Sequence, residues 1–259
     1  MAVINENDIL QLMIDSEKEA AQLMLGAADV LAEKKTGRRD VVTEYDRKVQ
    51  ALLMKRLSEA LPEAKFFCEE NKQQDGLNWE HLFIIDPIDG TMNFVHGFNH
   101  SCISAAYRHK GVLTAAAVYN PYVDEMFTAV RGGGAYLNGK PIHVQEESLS
   151  QSVVCCGTAP YDSSLTDKSF ELMKKAFSAG LDIRRQGSAA LDLCSVAAGR
   201  AGIYFELQVS LWDYAAGMLI VEEAGGLCLT VQGKELPADG SKPGILAGGK
   251  QAVEEFLKL

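Results

Sequence analysis

Residues 86–95 read Asp86-Pro87-Ile88-Asp89-Gly90-Thr91-Met92-Asn93-Phe94-Val95, or DPIDGTMNFV, and the rest of the chain is best read outward from them. The preceding His81-Leu82-Phe83-Ile84-Ile85 is apolar and rich in β-formers, which predicts a short buried strand over 82–85. Asp86 then stands at the strand's end, with Pro87 expected to stop it. Asp89-Gly90 turns the chain tightly. Two carboxylates at the end of a buried strand, beside a glycine loop with free amides, suit a cation and an anion held together. That combination points to phosphate chemistry.

The bulk composition narrows the class. With 259 residues, 47% hydrophobic and 23% charged, the chain has enough apolar material for a sizeable core in one large domain or two ordinary ones. A formal net charge of −10 argues against a non-specific nucleic-acid binder, which needs a basic footprint. No apolar run approaches the ~20 residues that span a bilayer, and MAVINENDIL has no basic start or long apolar stretch. A cytoplasmic protein without membrane contact is the expectation. Cys68, Cys102, Cys155, Cys156, Cys194 and Cys228 form no C-x-x-C pair and stand at no zinc-finger spacing. Buried, reduced thiols are expected of them.

Helical spacing over 7–33 and 43–60 predicts two helices, the second ending before Pro62. Strands are expected at 64–68, 82–85, 102–108 and 113–119, followed by a hairpin with arms at 125–130 and 134–137. After Ile142, strand-like stretches (152–156, 182–185, 201–205) alternate with helical ones (165–179, 189–198, 214–223), the texture of an α/β half. The polar segment 144–150 divides an N-terminal α+β half, residues 1–143, from a C-terminal α/β half, residues 144–259.

Further acids stand out. Glu69-Glu70 directly follows the predicted strand Phe66-Phe67-Cys68, Asp46 opens the second helix in VVTEYD, and Asp213 opens LWDYAAGMLIVEEAGG, a helix apolar on nearly every face. Taken singly, Asp213 reads as a helix cap, Glu69-Glu70 as a solvated turn and Asp46 as a surface charge. Those readings weaken together if the fold brings the acids to one point.

DPIDGTMNF, the upstream Glu-Glu pair and WDYAAGMLIVEEAGG resemble the signatures of the inositol monophosphatase family of magnesium-dependent, lithium-sensitive phosphatases. VTEYD, AYLNGKPIHV and GSAALDLCSVAAG extend the resemblance over most of the chain. It implies a layered α-β-α-β-α sandwich of the inositol monophosphatase and sugar phosphatase type, and a homodimer. It also implies that Glu69, Asp86, Asp89, Asp213 and the Ile88 carbonyl bind two or three Mg²⁺ ions. By the same resemblance Gly90 and Thr91 hold phosphate through backbone amides, and Thr91 with Asp46 orients and deprotonates the attacking water. Ser188, Ala189 and Glu206 lie beside the polyol. Inositol 1-phosphate is the leading substrate, with fructose 1,6-bisphosphate, histidinol phosphate, NADP and 3′-phosphoadenosine 5′-phosphate as alternatives. Cys68 and Asn71 depart from the family pattern around the Glu-Glu pair but are not expected ligands.

Three competing readings remain. GAYLNGK, residues 134–140, matches a phosphate-loop pattern until Pro141 takes the place of the Ser or Thr that would hold Mg²⁺, and Asn138-Gly139 reads better as a hairpin turn. Haloacid-dehalogenase phosphatases also place an acid pair before Gly-Thr. Their acids stand two residues apart, whereas Asp86 and Asp89 stand three apart, and the Glu-Glu and Trp-Asp elements would go unused. A non-catalytic scaffold would normally have lost a ligand or the water-activating pair, and here Asp46, Glu69, Asp86, Asp89, Thr91 and Asp213 are all present.

Overall fold

The computed structural model describes residues 5–28, 30–35, 40–71, 76–237 and 239–259. Along the first part run α1 (Glu6–Leu25), β1 (Glu33–Lys34), β2 (Val41–Val42), α2 (Glu44–Ala60), β3 (Lys65–Cys68), β4 (His81–Asp89), α3 (Thr91–Val95), β5 (Cys102–His109), β6 (Val112–Asn120), β7 (Glu125–Val130), β8 (Ala135–Leu137) and β9 (Lys140–Ile142). The chain continues through β10 (Val153–Cys156), α4 (Thr166–Ala179), β11 (Asp182–Arg184), α5 (Ala189–Ala197), β12 (Ile203–Glu206), α6 (Leu211–Glu223), β13 (Leu227–Thr230), β14 (Ile245–Gly248) and α7 (Lys250–Phe256).

Strands β3 to β9 form one sheet in chain order, parallel between β3 and β4 and antiparallel thereafter. A second sheet has the order β11-β10-β12-β14-β13, parallel around β10 and antiparallel around β14. Successive residues of β4 face opposite sides, as the period of a strand requires. Phe83 and Ile85 pack with Ile9, Met13, Val49 and Leu53 of α1 and α2. Leu82 and Ile84 face α5 and α6 instead, in the cluster that holds Leu193, Leu219 and Ile220 together with Tyr204 and Ala247 of the second sheet. On the outer side of that sheet α4 and α7 cover Val154, Phe205 and Leu246. The layers are therefore α-β-α-β-α.

Position between two sheets explains why α6 is apolar on nearly every face. Leu211, Ala215, Leu219, Ile220 and Val221 are all buried. Both sheet faces around β5 and β6 carry alanine (Ala105, Ala106, Ala115, Ala116, Ala117), so helices can approach closely on either side. A Leu219→Ala change there would leave a cavity and cost about 2–5 kcal/mol.

Several sequence expectations change. The first helix ends at Leu25 and not near residue 33, because Gly26 stops it. Leu31, read as part of its apolar stripe, is 80% exposed. Asp29, within the expected span, lies outside the described residues. Pro87 does not end the strand, for β4 continues to Asp89. It is accommodated because the β4–β5 register shifts there: Asp86 pairs with Ser104 and Asp89 with Cys102, three steps on one strand against two on the other. An extra residue of this kind is a β-bulge, where the missing proline N–H costs the ladder little. The strands β13 and β14 and the helix α7 escaped the sequence reading, being short and bounded by Gly225-Gly226, Gly244 and Gly248-Gly249.

Other expectations hold. Asn138 and Gly139 both have positive φ, 50° and 75°, between the antiparallel β8 and β9, as a tight hairpin turn requires. All six cysteines are free, and Cys228 alone among them is not fully buried. No helix among the described residues is long and apolar enough to cross a membrane.

Candidate active site

Helices α3, α5 and α6 begin at one cleft of about 810 Å³, which Gly90, Thr91, Ser188, Ala189, Ser210 and Asp213 help to line. Helix amino ends present unpaired N–H groups and a partial positive charge, a setting for an anion. Against them stand four carboxylates from three separate stretches of chain: Glu69, Asp86, Asp89 and Asp213 also line the cleft.

The bulge at Pro87 makes the acid pair usable. In a regular strand, residues three apart point to opposite faces. The extra residue reverses that parity, so Asp86 and Asp89 lie opposite Ser104 and Cys102, which share a face, while Ile88 turns into the α1–α2 core. The Ile88 amide donates to Asp86 Oδ1 at 3.1 Å and so helps fix that carboxylate. Glu69 sits directly after β3, its amide donating to the Ile85 carbonyl beside Asp86. Gly90 has φ +86°, and a Cβ there would lie 3.1 Å from the His100 carbonyl and 3.2 Å from that of Gly187. Glycine lets the loop pass between those two segments.

Hydrogen bonds fix these acids, Asp89 and Asp213 by one oxygen and Asp46 and Glu206 by both. Asp89 Oδ2 accepts from Ser188 Oγ at 2.6 Å and from the Ala190 amide at 2.7 Å, tying the β4 loop to the start of α5. Asp213 Oδ2 accepts from the Ser210 amide at 2.6 Å. Asp46 Oδ2 accepts from Thr43 N and Thr43 Oγ1 at 2.8 and 2.5 Å. Its Oδ1 lies 3.3 Å from Thr91 Oγ1, which is also 3.1 Å from the Ile88 carbonyl oxygen. Asp46 is fully buried behind Thr91 and does not itself line the cleft. Across the cleft, Glu206 accepts from the Ala159 amide at 2.7 Å and from Tyr204 Oη at 2.8 Å. Gly157 makes room for it, since a Cβ there would stand 1.9 Å from Glu206 Oε2.

Electrostatics show that these acids crowd one another. Burial, then the charges of Glu69, Asp89 and Asp213, push the Asp86 carboxyl well above its ordinary range. Asp213 is raised by burial and then by Asp89 and Glu69. Burial raises Asp89 to about 6, although Ser188 and Ala190 pull the other way. Asp46 and Glu206 are also raised by burial, each opposed by its own hydrogen bonds. A set of oxygen donors that repel one another when ionised is what a hard divalent cation relieves.

Lys35, Asp40, Asp162, Arg185, Asp192 and Lys242, which all line the cleft, escaped the sequence reading, and two of them bear on the acids. Lys35 Nζ lies 2.9 Å from Glu69 Oε1 and also contacts Glu70. Burial alone would lower the lysine, but the two glutamates overrule it and hold it above its usual range. Its signal was a basic run, Lys34-Lys35 before Arg38-Arg39, in an acidic chain. Asp192 is buried in the first turn of α5, accepting from Gln186 Nε2 at 3.1 Å, and burial followed by the Asp89 charge raises it. A lone acid inside the apolar AALDLCSVA was the available clue.

The comparisons with known proteins agree with this architecture. The inositol monophosphatase family model matches residues 6–259. The chain belongs to that family, which makes it a protein of the phosphatase class; magnesium dependence is general there. The putative Nus factor SuhB of Neisseria meningitidis serogroup B is 38% identical over 221 residues, 85% of this chain and 84% of that protein. An inositol-1-monophosphatase of Rhizobium meliloti is 36% identical over 220 residues, 85% of this chain and 82% of that one. The crystal structure of extragenic suppressor protein SuhB from Bartonella henselae superposes with a TM-score of 0.89 at 31% identity, over 96% of this chain and 97% of that one. An IMPase/NADP phosphatase complexed with Mg²⁺ and phosphate gives 0.83 at 26% identity, over 96% and 92%.

Proposed function

We propose that the protein is a Mg²⁺-dependent phosphomonoesterase that converts inositol 1-phosphate to inositol and phosphate. The observation that carries this reading is the meeting of Glu69, Asp86, Asp89 and Asp213 in one cleft, with Thr91 backed by Asp46 on its wall. Those four carboxylates and the Ile88 carbonyl would hold two or three Mg²⁺ ions. When bound, Mg²⁺ polarises the phosphoryl oxygens and lowers the pKa of water.

The chain's own residues supply the remainder. Thr91 Oγ1 orients the attacking water and takes its proton while passing its own hydroxyl proton to Asp46 behind it, whose carboxyl burial has raised. The Gly90 and Thr91 amides hold the phosphate oxygens. The water oxygen bonds to phosphorus in line with the polyol oxygen, and that P–O bond breaks. The polyol oxygen leaves with the electron pair and is protonated, with no phosphoenzyme formed. Positioning and charge stabilisation account for most of the acceleration in such a transfer. Glu206, held by Ala159 and Tyr204, keeps lone pairs for polyol hydroxyls, and Ser188 and Ala189 flank the same ring.

A panel of phosphate-release assays tests this reading: inositol 1-phosphate, fructose 1,6-bisphosphate, histidinol phosphate, NADP and 3′-phosphoadenosine 5′-phosphate, with EDTA and Asp89→Asn as controls. Turnover favouring inositol 1-phosphate and lost in both controls is expected. Preference for another substrate would reassign the Glu206 side while keeping the chemistry, and near-normal turnover by Asp89→Asn would overturn both. Lithium inhibition, a homodimer and a cytoplasmic setting belong to the same proposal. Sedimentation tests the dimer. The division at residues 143/144 is likewise proposed, supported by the two sheets drawing on residues before 143 and after 152.

The relatives named Nus factor SuhB favour a second, non-catalytic role on the same scaffold. With a net charge of −10, a protein partner suits it better than nucleic acid. An Asp89→Asn chain that keeps such a role would separate it from the phosphatase.

A further inference from the structure

At the opposite end of β4 from the acids, two imidazoles face each other across the sheet. His81 and His109 are direct partners in the β4–β5 register, with ring centroids 5.0 Å apart and planes within 11°. Glu80 precedes His81, and its Oε1 lies 3.8 Å from His109 Nε2. One ligand atom from each of Glu80, His81 and His109 falls within 4.8 Å of the other two. His81 Nδ1 lies 2.5 Å from the Tyr107 hydroxyl oxygen. When that oxygen accepts Nδ1–H, the ring turns a lone pair outward on Nε2, the arrangement by which neighbouring groups fix metal-binding histidines.

We propose that Glu80, His81 and His109 form a second cation site, distinct from the acid cleft and selective for a borderline divalent ion such as Zn²⁺. Asp86 is five residues further along β4, roughly 17 Å at ~3.3 Å per residue. Two imidazoles and one carboxylate suit Zn²⁺, whereas Mg²⁺ takes oxygen donors, so each site discriminates by donor type. The competing charge is Lys110, whose Nζ lies 3.2 Å from Glu80 Oε1 and is displaced when the ion binds. The bound ion bridges β4 to β5 at the edge of the layer where the Phe83 and Tyr107 rings pack at a tilt of 41°.

The test is Zn²⁺ titration by calorimetry of the full chain held in saturating Mg²⁺, comparing the unaltered protein with His109→Phe and Glu80→Gln. His109→Phe keeps an aromatic ring against His81 and removes both ring nitrogens. One Zn²⁺ per chain is expected in the unaltered protein. His109→Phe should weaken it at least tenfold, on the order of what loss of an outer-shell partner costs, and Glu80→Gln should weaken it less. Phosphatase turnover without Zn²⁺ should be the same in all three. Identical titrations of the unaltered protein and His109→Phe, or no Zn²⁺ uptake in the presence of Mg²⁺, would overturn the proposal and leave these rings as an aromatic stack alone.

Discussion

The helices α2 and α6 begin alike and end up in different chemical positions. Each has a hydroxyl residue at its cap and an aspartate three residues on: Thr43 with Asp46, Ser210 with Asp213. In each, Oδ2 of the aspartate accepts from the cap residue's amide. The same side chain therefore caps its helix with one oxygen and offers the other elsewhere. Asp46 Oδ1 meets the Thr91 hydroxyl behind the cleft wall, while Asp213 looks into the cleft among Glu69 and Asp89. Capping and site chemistry are not alternatives here. On the proposed reading one helix end presents a proton acceptor and the other a cation ligand, and the neighbours decide which.

The comparison is broken most severely at Asp213. Asp213→Asn keeps an oxygen for the cap but removes the charge, so kcat/KM should fall on the order of 10³-fold, with a much higher Mg²⁺ requirement. Phosphate release across a Mg²⁺ titration reads both. Asp46→Asn should lower kcat about 10²-fold, the lower end for loss of a general base, and leave the Mg²⁺ midpoint in place. An equal loss of Mg²⁺ affinity in the two variants would erase the distinction drawn above.

A smaller effect comes from pH. Burial holds Asp89 at about 6 against an ordinary 3.8, so the folded protein binds this proton more tightly than the unfolded chain does. Stability of the metal-free protein should therefore be highest below pH 3.8 as far as this group is concerned. It should decline by roughly 2–3 kcal/mol as pH rises through about 6. Mg²⁺ should reverse the decline and release protons on binding near that pH. Denaturant midpoints with and without Mg²⁺ from about pH 3.5 to 7.5, which spans both values, check the sign.

The smallest effect separates the caps themselves. Thr43 Oγ1 accepts from the Tyr45 amide at 3.1 Å as well as donating to Asp46, and Thr43→Ala should cost about 1 kcal/mol. Ser210→Ala should cost less, because α6 is held by two sheets and Asp213 still accepts from the backbone. Urea midpoints of the two variants compare them directly.

Much of this was legible from residues alone. The apolar faces of α6 announced burial, the unbroken apolar run Leu82–Ile85 announced a buried strand, and Asn138-Gly139 announced its turn, each a consequence of local pattern or local φ. Gly26, which ends α1, was equally visible but outweighed by the apolar residues beyond it. Lys35 and Asp192 left only faint local clues, because the acids that place them at the cleft, Glu69 and Asp89, lie far off in sequence. Residue types thus determined that carboxylates, a glycine loop and a hydroxyl were present and that the helices and strands would bury particular faces. Tertiary structure alone decided that Pro87 sits in a bulge, because only pairing with β5 inserts the extra residue. That pairing turns Asp86 and Asp89 to one side, and packing of α6 between the sheets brings Asp213 to meet them.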